Sequence, residues 1–252
     1  DSLFTETAIK YSKVSTAHHD TRQVLSVLNN AIERAKKWHR KDLQALLEMH
    51  IAKNEWLRSR YQNSLKHFEK GWSMAKELND PRLLRSATTF STFYLYWLGR
   101  FKEAVQSYEK SIPEVEKYPQ GRFPLLGAIL VGRCYAMIGH VTQGLGMMDG
   151  IRTHCLERGD RYSAAHAGYT IGATMLDIRR IDEAIQYLEC SLREATQEHA
   201  EWVRIRGNVV LALAYHLNGN NKRSIACLQE YLLYTRQVNV DVSPYSYLME
   251  LC

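Results

Sequence analysis

Proline is scarce: five residues in 252 leave little to interrupt a helix. Val, Ile and Thr dominate no segment, so few stretches favour a strand. The longest apolar run, Val209 to Tyr215, is far too short to span a bilayer, and no membrane segment is expected. No GxxxxGK(S/T) phosphate loop and no HExxH pair occurs. The five cysteines (Cys134, Cys155, Cys190, Cys227, Cys252) are odd in number and lack CxxC spacing, and there is no N-x-Ser/Thr sequon. Free thiols in a reducing, cytoplasmic setting follow as the expectation. The net charge of +6 is mild for this length, and no dense Lys/Arg block is present. That balance permits an acidic partner and gives no reason to expect direct nucleic-acid binding.

What fills the sequence instead is Ala, Leu, Glu, Arg, Lys and Gln, the residues that favour helix. Hydrophobic residues at 45% and charged residues at 24% are typical of a folded chain. Neither a signal peptide nor an initiating Met opens the sequence, and both ends lie in helix-like segments. The whole of 1–252 is therefore expected to be one domain excised from a longer protein, with a seventh unit beginning at Ser243-Pro244.

A period of forty runs through the chain. From Ala104, steps of forty reach Ser64, Gly144, Ala184 and Ser224, all small, and then Val24 as the one departure. Four positions later the column is Leu28, Phe68, Tyr108, Met148, Leu188 and Leu228, all large and apolar. A second small column reads Ser12, Ala52, Thr92, Gly132, Gly172 and Ala212. A turn column reads Ser59, Gly99, Gly139, Arg179 and Gly219. Small residues facing each other let antiparallel helices approach closely, large ones fill the gap between pairs, and Gly ends a helix in the left-handed conformation. Since one pair cannot bury its apolar face alone, the pairs must stack.

The spacing predicts first helices over 3–18, 42–58, 81–98, 122–138, 161–178 and 201–218. It predicts second helices over 21–37, 61–77, 101–116, 141–157, 181–197 and 221–237. Asp80 before Pro81, and Asp160, are positioned as N-caps. Pro113 should end or kink its helix early, and Pro119 and Pro124 flank the loop that follows.

The motif Trp97-Leu98-Gly99, followed by Phe101, Ala104, Tyr108 and Ser111, resembles the tetratricopeptide repeat. Leu176 to Ser191 and Tyr215 to Leu228 resemble it nearly as well. The repeat is longer than the usual ~34 residues. It is similar to the long-helix sensor regions of large bacterial transcription activators and signal-transduction ATPases, and somewhat to kinesin light chain repeats. The resemblance implies an all-α, right-handed superhelix whose first helices line a concave groove, and it implies binding, not catalysis.

By that register the inward columns are Lys13, Lys53, Phe93, Arg133, Ala173 and Leu213; then Thr16, Trp56, Tyr96, Ala136, Leu176 and His216; then Glu6, Leu46, Ser86, Leu126, His166 and Arg206. A flanking column contributes Ile9, Met49, Thr89, Ile129, Tyr169 and Val209. Candidate groove residues are Lys53, Trp56, Phe93, Tyr96, Arg133, Tyr169 and Arg206. The cations suit carboxylates, and the aromatics supply rigid contact area. The bland alternative has the aromatics packing between helices and Lys53 and Arg133 merely solvated. Lys13, Lys53 and Arg133 lack the Asn that accompanies a carboxylate clamp, which disfavours binding of a chaperone tail.

Other features read as structural. The run Gly144 to Gly150 lacks GxGxxG spacing, and Gly144 sits in the small column; its three glycines should make that helix the least stable of the second helices. Ten histidines, with His18 and His19 adjacent, form no metal set. Cys190 and Cys227 lie on neighbouring second helices as free thiols. In a solenoid, distant repeats are expected to stay apart, so no catalytic set is expected to assemble from them. The reading is a protein- or peptide-binding scaffold or sensor module of a larger regulator, such as a regulator of transcription, with no cofactor or metal and no enzymatic activity. A sugar-like ligand in the groove, or self-association through the solenoid ends and the tail around Tyr245, Leu248 and Leu251, are the alternatives.

Overall fold

Helix-forming residues at a period of forty give helices at the same period. The computed structural model describes residues 2–15, 21–57, 60–116 and 125–237. Twelve α-helices occur among them: α1 (Ser2–Ser15), α2 (Thr21–Lys37), α3 (Lys41–Leu57), α4 (Tyr61–Leu78), α5 (Pro81–Trp97), α6 (Phe101–Glu116), α7 (Leu125–Met137), α8 (Val141–Glu157), α9 (Arg161–Asp177), α10 (Ile181–Gln197), α11 (Glu201–Leu217) and α12 (Asn221–Gln237). Each helix packs on the next, and odd-numbered helices also contact one another, as in a stack of antiparallel pairs. Every predicted helix is present. α6 passes through Pro113 to Glu116, so the expected early end does not occur. Pro119, Pro124, Ser59, His18, His19 and the 241–252 segment lie outside the described residues.

Both small columns are buried. Ser64, Ala104 and Ala184 are 1%, 0% and 0% exposed, and Ala52 and Thr92 are 0%. The reason is plainest at Gly144. A Cβ there would stand 2.3 Å from the Gly132 carbonyl oxygen and 2.8 Å from the Ala136 nitrogen. The large column is equally buried at Leu28, Met148 and Leu188, is partly open at Tyr108, and is exposed at Leu228 on the last described helix. Tyrosine–glutamate bonds add ties between pairs: Tyr135 donates to Glu109 at 2.8 Å, and two repeats further on Tyr215 donates to Glu189.

The turn column holds. Gly99, Gly139 and Gly219 have φ of 69°, 97° and 83°, and Arg179 in the same column has φ 64°. A second turn column, which the sequence did not disclose, closes the other end of four of the units: His39, Asn79, Gly159 and His199 have φ of 52°, 49°, 73° and 52°. Three different residue types fill it, so no composition signal marked it. The left-handed region strains any side chain bearing a Cβ. Arg179→Gly is therefore expected to stabilise the fold by about 1 kcal/mol, read as a higher urea midpoint at unchanged slope. At the start of α9, Asp160 accepts from the Ser163 backbone N–H at 3.0 Å, as expected of a cap.

Candidate functional site

Helices α3 and α5 bring their C-terminal ends to one shared surface. Trp56 from α3, Phe93 and Trp97 from α5 form an aromatic cluster. Trp56 meets Phe93 edge-on with centroids 5.3 Å apart, and meets Trp97 at 4.8 Å. Arg206 of α11 completes it: its guanidinium carbon lies 5.6 Å from the Trp56 ring centroid and 5.4 Å from that of Trp97. Residues some 150 positions apart thus meet side chain to side chain. The expectation that distant repeats stay apart is corrected here: the superhelix curves tightly enough for the sixth pair to reach across to the second and third.

Beside this cluster lies a cavity of about 530 Å³. Tyr61 and Leu65 of α4 form one wall, Tyr94, Tyr96 and Trp97 of α5 the next, and Phe101 of α6 and Met137 of α7 a third. Arg133 and Asp177 stand at its edge. Arg133 Nη2 donates to Asp177 Oδ2 at 2.9 Å, and its guanidinium carbon lies 5.2 Å from the Tyr96 ring centroid. The Trp97 indole N–H is shielded from solvent with no hydrogen-bond acceptor.

The seven candidate residues separate. Trp56, Phe93, Tyr96 and Arg206 belong to the cluster or the cavity wall. Arg133 borders the cavity, but it is only 4% exposed and engages Asp177, so its carboxylate partner is intramolecular. Lys53 is half-buried and close enough to act on His166. Tyr169, 3% exposed, belongs to the main apolar core with Ile129 and Leu176, and its column mates Met49 and Val209 are buried as well. That column faces the adjacent helix and does not line the groove.

Sequence reasoning missed Trp97, Met137 and Asp177 as wall residues. They share one column, Leu57, Trp97, Met137, Asp177 and Leu217, four positions after Lys53, Phe93, Arg133, Ala173 and Leu213. The signal was available, because residues four apart share a helix face and the inward stripe simply runs one turn further.

His166 records the charge of this surface. Burial, followed by the cations of Arg206 and Lys53, pushes it down to about 4 from an ordinary 6.5. Its Nδ1 is shielded without a hydrogen-bond partner, and Tyr169 stands edge-on at 6.2 Å. In the unfolded chain His166 takes up its proton near 6.5 and in the fold only near 4, so between those values the unfolded state binds more protons. Stability is therefore complete above pH 6.5 and falls as the pH drops toward 4, by on the order of 2 kcal/mol. His166→Gln should flatten that part of a pH series of urea midpoints.

Among the described residues, no three or more His, Cys, Asp or Glu side chains are grouped to hold a metal, and no helix is long and apolar enough to cross a membrane. Cys134 is pushed up to about 12 by burial, which makes it an inert thiol. Cys190 is half-buried, with its Sγ 3.7 Å from Arg152 Nη2.

No protein-family model matches the sequence, and no curated protein matches it. Solved structures do. A Rap protein in complex with competence and sporulation factor superposes with a TM-score of 0.65 at 8% identity, covering 94% of this chain and 75% of that one. Aspartyl phosphate phosphatase F from Bacillus subtilis gives 0.58 at 16%, with 94% and 59% covered. A signal-transduction ATPase with a tetratricopeptide repeat sensor, from Pyrococcus horikoshii, gives 0.57 at 12%, with 94% and 43% covered. At these identities the likeness is one of fold. The chain is an all-α solenoid of antiparallel helix pairs, and the fold is tetratricopeptide-like.

Proposed function

We propose that the protein is a non-catalytic binding module that takes a protein or peptide segment with acidic and apolar side chains against the inner face of its first helices. The observation that carries this is the Arg206 guanidinium over Trp56 and Trp97, beside an aromatic-walled cavity. Aromatics and Arg at the centre of a concave surface are the groups that dominate binding energy elsewhere. The positive surroundings of His166 favour an anionic group. Two of the similar structures support the reading: the Rap protein holds a factor, and the Pyrococcus protein bears its repeats as a sensor. We read this chain in the same terms, as the interaction or sensor part of a larger cytosolic regulator.

The test is selection of short displayed peptides on the full chain, followed by affinity measurement. Enriched peptides should carry Asp or Glu beside bulky apolar residues. Arg206→Glu should weaken them at least about tenfold while circular dichroism stays unchanged. Affinities indifferent to Arg206→Glu would reject the groove. A second reading, a sugar-like ligand, draws on the aromatic-walled cavity with an ion pair at its edge. A melting-temperature rise with sugars alone, and no selected peptide, would favour it.

A further inference from the structure

We infer that the cavity between α4, α5 and α7 is the specificity pocket of this module. It receives one bulky apolar side chain of the bound segment, while the Trp97 indole N–H donates to a backbone carbonyl beside that side chain. The inference rests on the peptide reading above and goes further by fixing which residue of the segment is selected, and where.

The cavity, about 530 Å³, is within the range of sites that hold a ligand group, not a packing defect. Its walls are aromatic and aliphatic. The one carboxylate among the described lining residues, Asp177, is held by Arg133 at 2.9 Å. The edge is therefore neutral overall and the interior has no use for a charge, so an apolar group is what it accommodates. Trp97 adds the polar element. Its Nε1–H is buried and has no acceptor in the structure, although Trp97 lines the cavity. A buried donor left unmade is costly, and a carbonyl oxygen arriving with the ligand satisfies it once the indole tilts to bring its closed-off nitrogen to the cavity wall. A peptide backbone supplies such a carbonyl beside every side chain.

The same indole lies under Arg206, whose cation also acts on His166 together with Lys53. The anion-favouring surface thus adjoins residues that line the apolar cavity. A segment that fills the cavity with one residue places its near neighbours beside Arg206. The recognised pattern is therefore a large apolar residue with Asp or Glu within about two positions, a distance set by the span of an extended chain per residue.

Two variants and one peptide change test this. Leu65→Trp fills the cavity from the α4 wall, and Trp97→Phe removes the N–H with the five-membered ring while keeping an aromatic ring in place. The apolar residue of a selected peptide is separately replaced by Ala. Relative to wild type, Leu65→Trp should weaken the selected peptides about tenfold or more, and Trp97→Phe about five- to tenfold. The Ala replacement should cost about tenfold on wild type and little on Leu65→Trp, since both remove the same contact. Should Leu65→Trp fail to fold, Trp97→Phe and the Ala peptide decide alone. Peptides that still depend on Arg206 but ignore Leu65→Trp, Trp97→Phe and the Ala change would overturn the pocket while leaving the groove. A sugar whose melting-temperature rise disappears in Leu65→Trp would assign the cavity to a small molecule and overturn it also. Loss of the Arg206 dependence itself would instead bring down the underlying binding reading.

Discussion

Gly144→Ala is expected to destabilise the protein by about 2–3 kcal/mol, although alanine is the better helix former. The added methyl would lie 2.3 Å from the Gly132 carbonyl oxygen and 2.8 Å from a backbone nitrogen, neither of which can turn aside as a side-chain tip could. α7 and α8 would have to separate, losing packing around the fully buried Met148. The same helix supplies its own controls. Nothing lies within 4 Å of a Cβ at Gly146 or Gly150. At those sites alanine should stabilise by about 0.5–1 kcal/mol each, through helix propensity alone. Urea midpoints of the three single variants therefore divide by sign. If Gly144→Ala also stabilised, the close helix approach that defines the small column would be wrong.

Arg133→Ala carries the second large effect, and it falls on stability before binding. The side chain is 5% exposed and its partner Asp177 21%, with the two bonded at 2.9 Å. Removing the cation leaves the Asp177 carboxylate, at the edge of a largely apolar cavity, without the partner that holds it. Breaking a fully buried pair costs about 3–5 kcal/mol; with Asp177 partly open to solvent, about 2–3 kcal/mol is expected. The double variant Arg133→Met with Asp177→Leu should recover most of that loss, because no orphaned charge then remains. Thermal or urea unfolding of the single and double variants reads the difference, and equal losses in both would refute it. This is also why Arg206, and not Arg133, is the position at which charge reversal tests the groove.

The helix map was readable because two small columns, one large column and a turn column keep register over the whole chain. Each has a steric cause that survives in the fold, down to Arg179 taking the glycine conformation. The second turn column escaped notice because His39, Asn79, Gly159 and His199 share a backbone angle and not a residue type. For the site, the inward stripe was followed for one turn too few, which omitted Trp97 and Asp177. It was also widened by one column too many, which admitted Tyr169. The meeting of Arg206 with Trp56 and Trp97 could not be read from the letters. It depends on the accumulated rotation of several stacked pairs, a small angle at each junction that no single residue encodes.

That accumulated rotation makes the number of units a functional parameter. Arg206 reaches Trp56 because three complete pairs, α5 to α10, separate their helices and set the phase between them. Excising residues 141–180 would rejoin a second helix to its usual kind of neighbour, with the left-handed closures at Gly139 and His199 intact. The shortened chain could still stack and remain helical. Its sixth-unit arginine would nevertheless arrive one step of rotation early and pass the two tryptophans by. A lineage of such solenoids can thus alter what it recognises by gaining or losing a single step of the screw, with every contact residue left unchanged.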